Sequence, residues 1–329
     1  MIGPGCHYSP GLWQPIPLTS YLWRSESRCG GMVDAIDSKS IIRKDVEVRV
    51  LSSAQMKTPI IVVCGPTSTG KSDYAVTLAK ERNGEIISAD SRQVYKGLDI
   101  GSGKITAKEM RGVPHHLLDV ANPKRTFNIV RYKKLADKAI ADIVKRGNIP
   151  IIVGGTGFYI DAVIFNQQLP AVKPNPLLRK ALSKLSLFEL QEKLQQLDSE
   201  RYETIDIHNK VRLVRAIEIA TAIGSVPKIE KSSQFEVEWI YLDHPDEVLK
   251  ELIHDRLLKR VRKGMIKEVE QLHKQGVAWS RLEALGLEYR YIALYLQNKL
   301  SMTSMLEQLE NTIWQYVKRQ RTWFKKYTK

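Results

Sequence analysis

Residues 65–72 read GPTSTGKS and stand between an apolar run and a stretch of helical character. The preceding run, Ile60–Cys64, is largely β-branched, as expected for a buried parallel strand. The following segment, Asp73–Lys80, has apolar residues on one helical face. A strand, a glycine-bounded loop and a helix in this order predict a phosphate-binding loop, because loop amides and a helix N-terminus converge on an anion.

This phosphate-binding loop supplies the first set of candidate ligands. Lys71 adds a full positive charge, and the Ser72 hydroxyl is a candidate ligand for Mg²⁺. The sequence therefore predicts that the chain binds a polyphosphate, but not which one. The predicted contacts are Gly65, Pro66, Thr67, Ser68, Thr69, Gly70, Lys71 and Ser72.

The composition favours a polyanionic partner. The 329 residues include 51 Lys and Arg against 36 Asp and Glu, a formal net charge of +15. A small-metabolite kinase needs no such excess, whereas a nucleic-acid partner explains it; a solvated charged surface is the alternative. No apolar run approaches the ~18–20 residues that span a bilayer. The cysteines Cys6, Cys29 and Cys64 are widely spaced, which favours a reducing, cytoplasmic environment.

Residues 1–55 do not resemble a domain, because they show no sustained hydrophobic periodicity. GMVD at 31–34 and VRV at 48–50 can be encoded by codons that resemble the D-loop and TΨC arm of a tRNA gene. We therefore expect residues 1–55 to come from a reading frame that runs through an upstream tRNA gene; a disordered natural extension is the alternative. Sequencing the locus tests this, and a locus with no tRNA gene before the Met56 codon would contradict it.

From Met56 onward, apolar strands alternate with helical segments. Further strands are predicted at Glu85–Ala89, Ile149–Val153 and Trp239–Leu242, and an amphipathic helix at Thr126–Arg146. Such alternation implies a parallel sheet flanked by helices, so the predicted fold class is α/β with a P-loop NTPase-like sheet.

Two helical regions accompany this core. Residues 166–230 contain helical patterns and no convincing strand, so we predict an inserted helical domain within a core formed by 56–165 and 231–329. The segment after Glu310 has no acidic residue and mixes basic with aromatic side chains. That mixture suits either contact with nucleic acid or docking of the last helix on the core.

Several polar residues follow the predicted strands. Asp90 comes directly after the second strand, where a metal ligand or general base would be well placed; a turn aspartate is the alternative. The third strand ends in Gly154 and Gly155 rather than an acid, which weakens an NTPase interpretation and allows close approach of a ligand to the backbone.

Two further clusters each allow two interpretations. PHHLLD at 114–119 either lines the site or forms a structural turn. Arg256 and Arg260 lie four residues apart on one helical face and either hold a diphosphate or belong to a solvated face.

Taken together, these motifs resemble those of tRNA dimethylallyltransferases from Met56 to about Lys326. The phosphate-binding loop alone is a weak signal, whereas the ordered set is highly specific. The eight motifs are GPTSTGKS (65–72), SADSRQVY (88–95), GLDIG (97–101), PHHLLD (114–119), GGTGFY (154–159), RLVRAIE (212–218), ALGLEYR (284–290) and KRQRTWF (318–324).

The resemblance implies transfer of a dimethylallyl group from dimethylallyl diphosphate to N6 of adenosine 37 in tRNA. In that reaction Asp90 matches the family's catalytic aspartate, and Thr67 stands where members contact the diphosphate. Arg256 or Arg260 resembles the arginine that caps the diphosphate, and we favour Arg256. Mg²⁺ on Ser72 would stabilise the leaving group.

The resemblance also implies contacts with the anticodon stem-loop, made by a monomeric protein. A P-loop nucleotide or small-molecule kinase and an adenylate isopentenyltransferase are the alternative enzymes; an RNA-binding NTP sensor is a non-enzymatic one. The region around Gly286 departs from the family's shorter motif. The implied tRNA contacts are Asp90, Ser91, Arg92, Gln93, Thr156, Arg179, Val211, Arg212, Leu213, Val214 and Arg215.

Overall fold

The structure is a computed structural model that describes residues 57–167, 169–228 and 233–327. The predictions for residues 1–55 lie outside these described residues. Within them, all strands are parallel and form one sheet in the order β3-β2-β4-β1-β5. The strands are β1 (Thr58–Cys64), β2 (Gly84–Ser88), β3 (His115–His116), β4 (Ile149–Gly154) and β5 (Phe235–Tyr241).

The sheet confirms the predicted α/β class and four of its strands. The sequence missed β3 because two histidines give no hydrophobic signal. It placed the start of β5 at Trp239, four residues late, because Glu236 and Glu238 interrupt the apolar pattern. β5 pairs only with β1, so it is an edge strand and leaves those carboxylates accessible.

The two faces of the sheet are buried in two separate hydrophobic clusters. In β1, Ile60 and Val62 belong to one cluster, whereas Ile61 and Val63 belong to the other. This alternation follows from the two-residue period of a strand, and burial on both faces explains the unbroken apolar run. Helix α1 (Lys71–Glu81) covers one face, and α3 (Ile129–Lys145) and α4 (Gly157–Ile164) cover the other. The short helix α2 (Ala107–Met110) has no buried residue.

Helix α3 begins later than predicted, at Ile129 rather than Thr126. Asn128 is its N-cap, and its side-chain oxygen accepts a hydrogen bond from Arg131 N at 3.0 Å. A side-chain cap of this kind satisfies an amide that the helix itself leaves unpaired, so it fixes where the helix starts.

Four of the helices between β4 and β5 have a hydrophobic core of their own. They are α5 (Pro176–Ser183), α6 (Leu187–Leu197), α7 (Ser199–Thr204) and α8 (Lys210–Ile223). Leu182, Leu190 and Leu213 are fully buried in this core. The helical content agrees with the sequence, while the insertion boundaries at 166 and 230 stay a prediction.

The C-terminal region is also helical and docks through its aromatic residues. Trp323 lies against Gly157, and Tyr327 stacks on Trp239 at a ring distance of 4.0 Å. The structure thus supports the packing interpretation of these aromatics. The elements are α9 (Asp246–Arg262), α10 (Met265–Lys274), α11 (Trp279–Leu285), α12 (Leu287–Leu296), α13 (Met302–Phe324) and a 3₁₀ turn (Lys325–Tyr327). No helix among the described residues is long and apolar enough to cross a membrane.

Glu85 forms a buried polar cluster on β2. Its carboxylate accepts hydrogen bonds from Arg146 Nε at 2.9 Å and Nη2 at 2.7 Å, and from Asn148 Nδ2 at 2.8 Å. His116 Nε2 lies 2.6 Å from the same carboxylate. The Arg146 guanidinium, with help from His116 and Asn148, lowers the pKa of Glu85 to about 2.

We predict that Glu85→Gln lowers the free energy of unfolding at pH 7 by about 1.5–3 kcal/mol, the range for hydrogen bonds to a charged group. Because the pKa of Glu85 is lower in the folded than in the unfolded chain, its contribution is complete above about pH 4.5 and is lost as the pH falls toward 2. Urea unfolding at several pH values measures both effects.

The control is Glu81→Gln, since Glu81 is exposed at the end of α1. We expect the control to leave stability nearly unchanged. A difference between wild type and Glu85→Gln that is the same at pH 7 and pH 2 would contradict the prediction.

Candidate active site

The phosphate-binding loop connects β1 to α1 and is shaped by two glycines. Gly70 has the left-handed conformation, with φ of 76°, directly before α1. A Cβ on Gly65 would lie 2.0 Å from the carbonyl oxygen of Leu242, so no other residue fits there. Within the loop, Thr69 Oγ1 donates to the Pro66 carbonyl at 3.0 Å. These features stabilise the conformation of the loop at the N-terminus of α1.

Two cations face this loop without a carboxylate partner. Lys71 Nζ donates to the Pro66 carbonyl and, at 3.3 Å, to Thr69 Oγ1. Arg256 Nη1, from α9, donates to Thr67 Oγ1 at 3.3 Å and to Ser68 Oγ at 3.4 Å. Among the described residues, no carboxylate lies within ion-pair distance of either side chain.

The pKa values of both cations reflect this environment. Burial, followed by the charge of Arg256, lowers the pKa of Lys71 to about 7. Burial and then the neighbouring Arg260 lower the pKa of Arg256 to about 10. Cations that are desolvated and unpaired favour an anionic ligand, because such a ligand restores the lost stabilisation.

The structure distinguishes the two candidate arginines on α9. Arg260 Nη1 donates to Glu288 Oε1 at 2.9 Å and to the Gly101 carbonyl at 3.2 Å. Its charge is therefore already paired with a carboxylate, whereas Arg256 reaches the loop directly. Neither arginine lies on a freely solvated face, because both are partly buried.

Asp90 lies at the carboxyl end of β2, across the same cavity from the loop. Its Oδ1 accepts from the backbone amides of Arg92 at 2.7 Å and Gln93 at 3.2 Å. This is the turn geometry that the sequence left open as an alternative, and it coexists with a position in the site. The described residues donate no hydrogen bond to Asp90 Oδ2, so that oxygen is available to a ligand.

The loop, Asp90 and α9 surround a cavity of about 570 Å³. Its size suits a small organic diphosphate together with part of a second substrate. Predicted residues that line it are Thr67, Ser68, Gly70, Lys71, Ser72, Asp90, Gln93 and Arg256. Lining residues without a predicted role include Ile105, Glu109, Leu252, Lys259, Tyr316 and Gln320.

The two glycines at the end of β4 pack closely against other parts of the protein. A Cβ on Gly154 would lie 2.2 Å from the Ala89 carbonyl oxygen, and one on Gly155 would lie 2.1 Å from Gln320 Nε2. Both glycines line the cavity; a side chain on Gly154 would clash with backbone, whereas one on Gly155 would have to displace the Gln320 amide. Packing is therefore one reason for glycine at these positions, and close approach of a ligand stays a prediction.

The PHHLLD segment divides between the two interpretations that the sequence left open. His115 lines the cavity, and burial lowers its pKa. His116 contacts Glu85, and Asp119 forms an ion pair with Lys104 at 2.5 Å. His115 and Leu118 therefore line the site, whereas His116 and Asp119 have structural partners.

Helix α13 contributes two site residues that sequence reasoning missed. Tyr316 and Gln320 line the cavity from a helix more than 220 residues after the loop. Gln320 is 4% exposed and lies on the buried face with Ile313 and Val317. A polar residue on an otherwise apolar helical face was the available signal for Gln320.

The predicted tRNA contacts fall into two groups, and the first lies beside the cavity. Ser91 N donates to Thr156 Oγ1 at 3.2 Å, which joins the ends of β2 and β4. Arg92 donates to the Ser91 carbonyl at 3.2 Å, and its guanidinium lies near Gly286. Gln93 Nε2 donates to the Gly103 carbonyl at 3.5 Å.

The second group lies on the α5–α8 helices. Arg179 Nη2 donates to the buried Glu218 carboxylate at 2.8 Å, and Arg215 Nη1 donates to the same carboxylate. Burial alone would raise the pKa of Glu218, but the bonds from Arg179, Asn175 N and Arg215 lower it to about 2. One buried carboxylate therefore orients both arginines.

The remaining members of this group differ in exposure. Val211 is 79% exposed, and Arg212 contacts Asp206 at 3.6 Å on the surface. Val214 is partly buried. Leu213 is fully buried in the core of these helices, so its side chain offers no surface to an RNA.

Comparison with known proteins identifies the family. A model of the IPP transferase family matches residues 93–327. A tRNA dimethylallyltransferase 2 from Treponema denticola is 46% identical over 275 residues, which cover 82% of this chain and 92% of that protein. The chain belongs to the IPP transferase family. The resemblance inferred from the eight motifs is therefore confirmed.

Solved structures agree with this assignment. A tRNA isopentenylpyrophosphate transferase from Bacillus halodurans matches with a TM-score of 0.62 and 34% identity, over 82% of this chain and 87% of that one. A eukaryotic dimethylallyltransferase acting on tRNA matches with a TM-score of 0.70 and 26% identity, over 81% and 70% of the two chains. The IPP transferase fold thus extends across nearly all of the described residues.

We predict that binding of inorganic diphosphate at pH 8 takes up about one more proton in the wild type than in Lys71→Arg. With a pKa of about 7, most Lys71 side chains are neutral at pH 8, and a bound anion restores the charge. Arginine stays protonated and takes up none.

Titration calorimetry without Mg²⁺, in two buffers of different ionisation enthalpy, measures the uptake. Protons exchanged by diphosphate itself are common to both proteins and cancel in the difference. Equal uptake by the two proteins would contradict a lowered pKa of Lys71.

Proposed function

We propose that this protein transfers a dimethylallyl group from dimethylallyl diphosphate to N6 of adenosine 37 in tRNAs that read codons beginning with U. The observation that supports this most directly is the pair of cations, Lys71 and Arg256, that face the loop without a carboxylate partner in the described residues. In an IPP transferase family member, a prenyl diphosphate is the anion that such a site would take.

The proposed donor site is the phosphate-binding loop with Arg256 above it. The diphosphate accepts hydrogen bonds from loop amides, and the charges of Lys71 and Arg256 stabilise it as it leaves. The contacts of Arg256 with Thr67 and Ser68 support its assignment as the capping arginine, rather than Arg260.

Mg²⁺ fits this site through one protein ligand. The Ser72 hydroxyl lines the cavity, and the described residues contain no group of three or more acidic, histidine or cysteine side chains suited to a metal. This suits Mg²⁺, which is commonly held by few protein groups together with phosphate oxygens and water. When bound, the ion would neutralise charge on the diphosphate.

Asp90 is proposed as the base. N6 of the adenine attacks C1 of the dimethylallyl group, the bond from C1 to the diphosphate oxygen breaks, and the N6 proton passes to Asp90 Oδ2. The hydrogen bonds at Asp90 Oδ1 hold the carboxylate, and Oδ2 has no donor among the described residues, which supports this role. An exocyclic amine is a weak nucleophile, so removal of its proton in the transition state favours the reaction.

The acceptor is proposed to be an anticodon stem-loop that presents adenosine 37 unstacked from its neighbours. Arg92 and Thr156 at the cavity, and Arg179 and Arg215 on the α5–α8 helices, would contact it, with the net charge of +15 favouring RNA. We propose a cytoplasmic monomer, with residues 166–230 as the tRNA-binding domain. The family comparisons do not favour the kinase alternative or the adenylate isopentenyltransferase.

The direct test combines the protein, Mg²⁺, dimethylallyl diphosphate and an anticodon stem-loop with adenosines at 36 and 37. Mass spectrometry of the RNA is expected to show one dimethylallyl adduct on adenosine 37. A stem-loop with guanosine at 37 is the control. Prenylation of free adenine nucleotide instead, or phosphate transfer from ATP, would favour one of the alternatives.

We predict that Asp90→Asn lowers kcat by about 100- to 10,000-fold, the usual contribution of a general base. Asparagine keeps an oxygen for the amides of Arg92 and Gln93, so the turn is preserved. Stem-loop affinity, measured by fluorescence anisotropy, is expected to change little. A large loss of affinity with normal kcat would contradict the assigned role.

A further inference from the structure

Gln320 is a buried polar side chain that contacts two parts of the site at once. Its Oε1 accepts from the Thr67 amide at 3.0 Å, and its Nε2 donates to the Gly155 carbonyl at 2.9 Å. Both ends of the side-chain amide are therefore satisfied by backbone groups, one on the phosphate-binding loop and one directly after β4. A residue that is 4% exposed requires such partners, because unpaired buried polar groups are costly.

The chemistry of these partners suits glutamine. One partner is a donor and the other an acceptor, so the side chain must offer an acceptor and a donor at a fixed separation. Glutamate offers no donor when ionised, and methionine of similar length offers neither group. Gly155 matches this arrangement, because a Cβ there would lie 2.1 Å from Gln320 Nε2.

The two contacts link the proposed donor and acceptor sides. Thr67 also contacts Arg256 through its hydroxyl. On the other side, Gly155 precedes Thr156, whose Oγ1 accepts from Ser91 N, next to Asp90. Gln320 therefore stands between the loop that would hold the diphosphate and the segment that carries the proposed base.

We propose that Gln320 is a positioning residue that fixes the Thr67 side of the phosphate-binding loop relative to Asp90. Reaction rate depends steeply on the distance between donor and acceptor, and misplacement by about 1 Å costs about 100-fold. The inference rests on the proposed function for its effect on turnover. Its effect on the loop itself is independent of which anion the loop binds.

The experiment compares Gln320→Met, Gln320→Glu and a control, Gln315→Glu, on the exposed face of the same helix. For both Gln320 variants we expect kcat to fall by about 10- to 100-fold and the affinity for inorganic diphosphate to weaken, with little change in KM for the stem-loop. The control is expected to match wild type in all three. If a variant only lost folded protein, the apparent kcat would fall, but the diphosphate affinity of the folded fraction would stay at the wild-type value.

Gly155→Ala provides a second route to the same result, because its Cβ would displace the Gln320 amide. If one contact is responsible, the double variant Gly155→Ala/Gln320→Met is no worse than the more affected single variant. Additive losses would overturn the proposal, as would wild-type kcat and diphosphate affinity in folded Gln320→Met.

The outcomes separate this inference from the proposed function. If wild type transfers no dimethylallyl group, the proposed function fails, and diphosphate affinity of the variants still tests the role of Gln320 in the loop. If wild type is active and the variants match it, the proposed function stands and the positioning role is wrong.

Discussion

All five strands of the described sheet run in one direction, so their carboxyl ends meet at a single edge. β1 leads into the phosphate-binding loop, β2 leads to Asp90, and β4 leads to Gly155 and Thr156. The sheet thereby brings residues that are far apart in the sequence to one cavity. The parallel sheet thus positions the loop, Asp90 and Thr156 at one edge, and helices α9 and α13 add Arg256 and Gln320 to it.

Cationic side chains of this protein differ in whether one of its carboxylates pairs with them. Arg260, Arg179 and Arg215 all have carboxylate partners, whereas Lys71 and Arg256 face the cavity without one in the described part of the chain. These three arginines are thus oriented by carboxylates of the protein itself. The two unpaired cations lie where the diphosphate is proposed to bind, and their lowered pKa values are the electrostatic cost of that arrangement.

The sequence predicted the features that depend on local pattern. Buried strands give unbroken apolar runs, and the phosphate-binding loop has a fixed spacing, so β1, β2, β4 and the loop were found. Two features had no local signal: β3 consists of only two histidines, and the packing of Gly155 against Gln320 depends on how α13 docks. Pairing of Arg260 with Glu288 likewise appears only when α9 and α12 are packed together.

The contact between Thr67 and Gln320 spans 253 residues. During synthesis, the loop leaves the ribosome early, while its partner on α13 emerges near the end. A nascent chain that has folded only its first strands would therefore carry an incomplete donor loop. Such long-range closure delays assembly of the site until the last helix docks, and it makes folding of this enzyme dependent on a contact of high sequence separation.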